Sequence, residues 1–437
     1  MVIAFAFAFL GLILGPHQIE LVVGGDVGLV RVELDGSLVG ELTGEPWSLE
    51  CDFGPELHPH KLEAIAFDPL GREIARARQL INLPRARAEA ALILESDGGG
   101  SPETARLIWQ HIEYSSAESV SFRFDDEELA LIGPDRVLLP EYDPSSLHLL
   151  EAELRFPDGA HYRAELNISG RTGFGADAEL TGLTLVAPPG ARLDVRKLGG
   201  WFEKDGQAVE TRGLERAPAK IVMVIDETAI PALRKLATYG SSLTTHNTDL
   251  RQGEQLEFLF PHARLATAKG DQSRLFSISQ PFSSEDGSIP WILTRLQPPE
   301  PFPARRVNDA IGVAAVEAAA GSRPRAVVLV LGHELADTSA YGIREVEIFL
   351  RELRVPLFVW WTGHPLSENV GEGRRPLMVN TPWGRAQDIS SLSRIIEATE
   401  ILRLELDRQL TVWIEGSHLP SEIELTKRPP SGVRFAG

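Results

Sequence analysis

The chain has 437 residues, of which 43% are hydrophobic and 24% are charged, and its net charge is −19. This length predicts roughly two to four domains, with enough apolar residues for several buried cores. The acidic balance argues against a nucleic-acid partner and against a polybasic membrane-surface module, because both require clustered positive charge.

An apolar stretch, VIAFAFAFLGLIL, occupies most of residues 1–15. It is too short to span a bilayer and long enough for the core of a signal peptide. No Lys or Arg precedes it and no small-x-small cleavage site follows, so a short membrane anchor and the first strand of a cytosolic chain are alternatives. We expect export to the periplasm, the cell surface or the medium.

Residues 16–86 and 87–170 are predicted to form two Ig-like β-sandwiches. Short alternating runs such as Val30–Leu34 end at turn signals about every ten residues, which is typical of this fold. The second segment repeats the first weakly, since Val120–Phe124 matches Val30–Leu34 and Leu147–Phe156 matches the run from Leu62. The sequence therefore indicates tandem sandwiches.

The chain contains one cysteine, Cys51, in the first of these segments. A single cysteine excludes an intrachain disulfide and a Cys-rich zinc cluster. Because Cys51 lies in an alternating apolar run, we expect a small buried side chain rather than a reactive thiol.

The pattern changes after residues 171–218, which are predicted to be a β lead-in with a hairpin at the Asp205-Gly206 turn. In residues 219–437, continuous apolar runs such as Ile221–Ile225 and Ala326–Leu331 alternate with helical periodicity, and a β tail ends the segment. Strands buried on both faces and a βαβα order predict a doubly wound, mainly parallel α/β sheet. The overall fold class is thus multi-domain, with tandem sandwiches before an α/β domain.

Several segments together resemble a von Willebrand factor type A domain. They are the strand and loop Lys220–Thr228, the helix from Asn308, the strands Ala326–Leu331 and Val355–Trp361, and the upstream hairpin Leu198–Gln207. That hairpin is similar to one in the bacterial VWFA-related proteins abundant in Acidobacteria. The resemblance covers about residues 190 to 415 and implies a Rossmann-like fold with a binding edge at the strand ends.

The resemblance also implies a metal-ion-dependent adhesion site, and here that site is degenerate. Asp226 matches the first carboxylate ligand and Thr228 the first hydroxyl ligand. Ile230, Arg305 and Gly332 occupy the other three ligand positions, and none of them can ligate a hard cation, which requires oxygen donors. We therefore expect no metal and no cofactor.

Two interpretations of the remaining residues stay open. Asp226 and Thr228 could cap the first helix of the domain. Alternatively, the strand ends form a metal-free binding rim in which Arg305 pairs with Asp226 and replaces the charge of the ion. The rim residues predicted to bind a partner are Asp226, Glu227, Thr228, Arg305, Glu334 and Asp337.

The leading functional hypothesis is a non-catalytic, exported binding or adhesion protein with a protein partner. It rests on the lack of Walker A, His-Glu-x-x-His, Gly-x-Gly-x-x-Gly and Gly-x-Ser-x-Gly motifs, and on family analogy. One alternative is a structural protein of the cell envelope. The other is an enzyme that uses His333, Glu334 and Asp337 at the rim.

Overall fold

The computed structural model divides the chain into two compact units, Met1–Glu56 with His60–Ala178, and Leu57–Pro59 with Glu179–Gly437. The residues that the structure describes are 3–6, 9, 12–24, 27–83, 88–95, 103–111, 116–125, 127–142, 148–156, 161–169, 172–174, 180–191, 193–237, 248–261, 276–297, 305–320, 323–332, 337–363 and 378–437. Within these ranges, no helix is long and apolar enough to cross a membrane.

The first unit begins with a seven-stranded β-sandwich. Its strands are β1 Ile3–Phe5, β2 Pro16–Val23, β3 Leu29–Leu34, β4 Ser37–Leu42, β5 Ser48–Asp52, β6 His60–Phe67 and β7 Glu73–Ile81. They form two antiparallel sheets with the orders β1-β2-β5 and β4-β3-β6-β7. Alternate residues of both sheets, including Ile19, Cys51, Val30 and Leu62, enter one core, so the predicted first sandwich is confirmed.

The N-terminal apolar segment contributes to this core. Residues Ile3–Phe5 pair antiparallel with Leu21–Val23, and the side chain of Ile3 is fully buried. Ile3–Phe5 thus form a first strand, whereas the alternatives of a signal peptide, a membrane anchor and a cytosolic chain are not tested. The apolar side chains of Ile3 and Ala4 suit this buried position. Export itself remains a prediction.

A second sandwich completes the first unit. Its strands are β8 Ala88–Glu95, β9 Thr104–His111, β10 Ser119–Phe124, β11 Glu127–Leu129, β12 Arg136–Leu138, β13 His148–Arg155, β14 His161–Ser169 and β15 Thr172–Phe174. The sheets β12-β9-β8 and β11-β10-β13-β14-β15 share a separate core. Because β15 pairs with β14, this sandwich extends past the predicted boundary at residue 170.

The internal repeat is present in three dimensions. Strands β3, β6 and β7 neighbour one another in the same order as β10, β13 and β14. Their central strands begin with related sequences, His60-Lys61-Leu62-Glu63-Ala64 and His148-Leu149-Leu150-Glu151-Ala152. In both, the Leu and Ala side chains enter the core, while Glu63 and Glu151 are buried beneath arginine side chains.

Each repeat also contains the same hydrogen-bonded turn, which we call the Asp–His staple. Asp35 has a φ of 51°, and its carboxylate bonds to His60 Nδ1 at 2.7 Å and to the backbone N of Lys61 at 2.7 Å. Asp125 has a φ of 49° and bonds to His148 Nδ1 at 2.6 Å and to the following backbone N at 2.8 Å. The staple fixes the hairpin turn against the neighbouring strand in both sandwiches.

The second unit contains the remaining strands and the five α-helices of the described residues. They are β16 Leu180–Val186, β17 Phe202–Lys204, β18 Gln207–Ala208, β19 Thr211–Glu215, β20 Lys220–Ile225, α1 Ile230–Ala237, β21 Gln255–Phe260, β22 Ser277–Ile278, α2 Ile289–Thr294, α3 Val307–Ala319, β23 Arg325–Leu331, α4 Ile343–Glu352, β24 Leu357–Trp361, β25 Met378–Thr381, β26 Gly384–Asp388, α5 Leu392–Leu406, β27 Gln409–Glu415, β28 Glu424–Leu425 and β29 Arg434–Phe435.

A seven-stranded sheet forms the centre of this unit, in the order β22-β21-β20-β23-β24-β26-β25. The five strands from β21 to β26 are parallel, and the two edge strands are antiparallel to their neighbours. One face packs against α1, α2 and α5, and α3 lies against the buried residues of the opposite face. The sheet is therefore wound on both sides, as its continuous apolar strands predicted.

The predicted lead-in of residues 171–218 is not a separate segment. Strand β27 lies between β19 and β16 in an antiparallel sheet of order β19-β27-β16-β29, so two strands of the lead-in, β16 and β19, share a sheet with two strands of the C-terminal tail, β27 and β29. Pairing across more than 190 residues has no local sequence signal, which is why the pattern missed it. The predicted hairpin at Asp205-Gly206 is confirmed between β17 and β18.

Candidate functional site

The candidate site lies at the C-terminal ends of β20 and β23. In the sheet, β20 is the first strand in chain order, β21 and β22 extend one side, and β23 begins the other. The strand order thus reverses between β20 and β23, which is the position where wound sheets usually bind ligands. Asp226 follows β20 directly, and Gly332 follows β23.

Asp226 is paired with Arg305, as the sequence hypothesis proposed. Arg305 Nη2 donates to Asp226 Oδ2; the Asp226 side chain is fully buried and that of Arg305 is 11% exposed. Arg305 Nε and Nη1 are also buried and bond to no atom within the described ranges. A buried carboxylate needs a compensating charge, and here the guanidinium supplies it.

Asp226 also caps a helical turn, which is the 3-10 turn that follows it rather than the first α-helix of the capping interpretation. Its Oδ1 accepts the backbone N–H of Thr228 at 3.2 Å, and its backbone N donates to Val330 O at 2.9 Å. The 3-10 turn Glu227–Ala229 then leads into α1. Each carboxylate oxygen of Asp226 therefore accepts a hydrogen bond from within the protein.

Gly332 is in close contact with the same turn. A Cβ atom placed on Gly332 would lie 2.3 Å from the carbonyl carbon of Thr228 and 2.4 Å from Thr228 Oγ1. No aspartate fits there without displacing the backbone, so the position that the resemblance assigns to a ligand is closed sterically as well as chemically. Ile230, at another ligand position, is 3% exposed and belongs to the core. Within the described ranges, no cluster of three or more His, Cys, Asp or Glu could hold a metal.

Asp337 caps helix α3. Its carboxylate accepts backbone N–H groups of Val307 at 3.0 Å and Asn308 at 3.3 Å, and it also bonds to Ser339 Oγ at 2.8 Å. These groups are the first free donors of the helix, where a negative charge is favourable. The sequence placed Asp337 on a binding rim, and the structure shows it holding the start of α3.

Further bonds fix the loop between Asp337 and Gly342, a feature that the sequence analysis missed. The buried carboxylate of Asp309 accepts the backbone N–H groups of Ala340 at 3.0 Å and Tyr341 at 3.1 Å. Burial, with the nearby charge of Asp309, raises the pKa of Tyr341 to about 12. The only sequence signal was an acidic residue in the first turn of α3, which commonly caps its own helix rather than a distant loop.

The remaining predicted rim residues are Glu227, Thr228 and Glu334. Glu227 and Thr228 are both partly exposed beside Asp226. Glu334 and His333 lie outside the described residues. The structure therefore brings together Asp226, Thr228 and Arg305. It places Asp337 at the start of α3, the helix that follows Arg305. The carbonyl oxygen of Arg305 accepts the backbone N–H of Thr338 at 2.8 Å.

Comparisons with known proteins do not assign the chain to a family. No protein-family model and no curated protein matches the sequence. Forty-two chains of solved structures are similar to parts of it, among them the following three. The fibronectin(III)-like modules of Clostridium thermocellum CbhA are 17% identical, with 18% of this chain and 92% of that chain covered and a TM-score of 0.16.

The second is the central fibronectin-III array of RIM-binding protein, which is 13% identical over 42% of this chain and 74% of its own, with a TM-score of 0.17. The third is the Bacteroides ovatus SGBP-B protein in complex with a mixed-linkage heptasaccharide. It is 14% identical over 47% of this chain and 54% of its own, with a TM-score of 0.14. TM-scores this low carry no conclusion about fold or function.

Proposed function

We propose that this chain is a non-catalytic binding protein whose second unit is a metal-independent relative of the von Willebrand factor type A domain. The proposal rests on the buried ion pair of Asp226 and Arg305, which lies where the strand order of the sheet reverses, between β20 and β23. A tethered guanidinium occupies the electrostatic role that the resemblance gives to a divalent cation.

The strand order supports this family relationship. Numbered along the chain from β20, the sheet reads 3-2-1-4-5-7-6, with its third strand antiparallel. The first five positions follow the usual order of a doubly wound sheet, in which the loops after the first and fourth strands flank the binding edge. The residues matched by sequence to the family's ligands, Asp226 and Gly332, lie in these loops.

The bonding of the acidic residues favours binding over catalysis. A general acid or base needs a carboxyl group that can reach a substrate proton. Asp226 is engaged by Arg305 and Thr228, and Asp337 by the start of α3. What the edge offers instead is a loop, from Asp337 to Gly342, that is already held in one conformation and therefore loses little entropy on binding.

A partner capture with matched variants tests the proposal. The full chain, tagged and cross-linked in the native envelope fraction, should retain a protein that is lost with the double variant Ala340→Arg, Arg344→Glu at the exposed loop edge. Gln252→Arg, exposed before β21 at the opposite end of the strands, should retain it. Equal capture by all three proteins would contradict binding at the strand ends. Capture of nothing by the wild type would favour a structural envelope protein.

Export is part of the proposal, and it has its own test. The native protein should be recovered from the periplasmic, surface or medium fraction of its host cells. Recovery in the cytosol alone, with a cytosolic enzyme as marker, would contradict the export prediction without affecting the argument about the strand ends.

A further inference from the structure

We draw no further inference here: the strongest candidate, the apolar patch that Ile132 and Leu138 expose beside strand β12 of the second sandwich, carries nothing because nothing in the structure shows what covers it.

Discussion

The guanidinium of Arg305 and the carboxylate of Asp226 form a buried ion pair across 79 residues of sequence. Arg305 lies two residues before the start of α3, and Asp226 immediately follows β20, so the pair ties the segment that leads into a helix to the end of a central strand.

Removal of the Arg305 side chain should destabilise the folded protein, because Asp226 loses its ion-pair partner. We expect Arg305→Ala to lower the free energy of unfolding by about 3 kcal/mol, because a buried carboxylate is left without a counter-charge. The double variant with Asp226→Asn should lose less than the two single variants added together. Chemical denaturation measures all three, with Arg344→Ala as an exposed-arginine control. Additive losses would show that the pair contributes no coupling.

A small cation should replace the missing side chain. Methylguanidinium at millimolar, non-denaturing concentration is expected to raise the melting temperature of Arg305→Ala and not that of the wild type, because it binds only where a cavity faces Asp226. Methylammonium serves as the control cation without a planar fork. An equal response of both proteins would mean that the cation does not act at this position.

The contact between Gly332 and Thr228 predicts that side chains at Gly332 are not tolerated. Gly332→Ala should lower the free energy of unfolding by about 1–3 kcal/mol, the usual range for overpacking. A larger loss is expected if the backbone of Thr228 cannot move, because the clash is with backbone atoms. Gly332→Asp should cost more, and Mg²⁺ should not raise its melting temperature. Gly199→Ala is the control, since a Cβ there would meet open space. A Mg²⁺-stabilised Gly332→Asp variant would contradict the closed site.

The Asp–His staple of the second sandwich predicts a pH dependence. Burial alone would raise the pKa of Asp125, but hydrogen bonds from His148 and the backbone N of Leu149 outweigh it, and the pKa lies below its ordinary value. The folded state therefore gains stability from the ionised carboxylate above that ordinary value and loses it as the pH falls through the lowered pKa.

Asp125→Asn should consequently lower the melting temperature at pH 7, and the difference from the wild type should shrink as the pH is lowered below 4. Asn accepts the left-handed backbone of this turn, so the substitution removes mainly the charge. Asp205→Asn is the matched control, at a turn residue with a φ of 52°. A difference that is constant with pH would count against a contribution of the carboxylate charge.

Cys51 should report on the unfolding of the first sandwich. Its side chain is fully buried, and burial together with Asp52 and Asp35 raises its pKa to about 11. At pH 8 only about a thousandth of such a thiol is thiolate, and that fraction is shielded from reagent. Alkylation measured by mass should therefore be slow in the native protein and become fast with the denaturant transition. Rapid alkylation under native conditions would contradict this burial.

The sequence by itself determined the local features of this protein. Alternating and continuous apolar runs indicated antiparallel sandwiches and a parallel sheet, because strand periodicity records which faces are buried. It also determined the chemical incompatibility of Ile230 and Arg305 with a hard cation, since ligand chemistry depends on residue type alone. The buried state of Cys51 followed from its neighbours in the same strand.

Only the tertiary structure decided which distant groups meet. The pairing of β16 with β27, the steric closure of Gly332 by Thr228, and the use of Asp337 as a helix cap all join segments with no shared periodicity. The same holds for Ile3–Phe5, whose pairing with Leu21–Val23 is not indicated by any local pattern. Contacts of this kind depend on chain topology, and topology is fixed by the sum of all packing rather than by any local pattern.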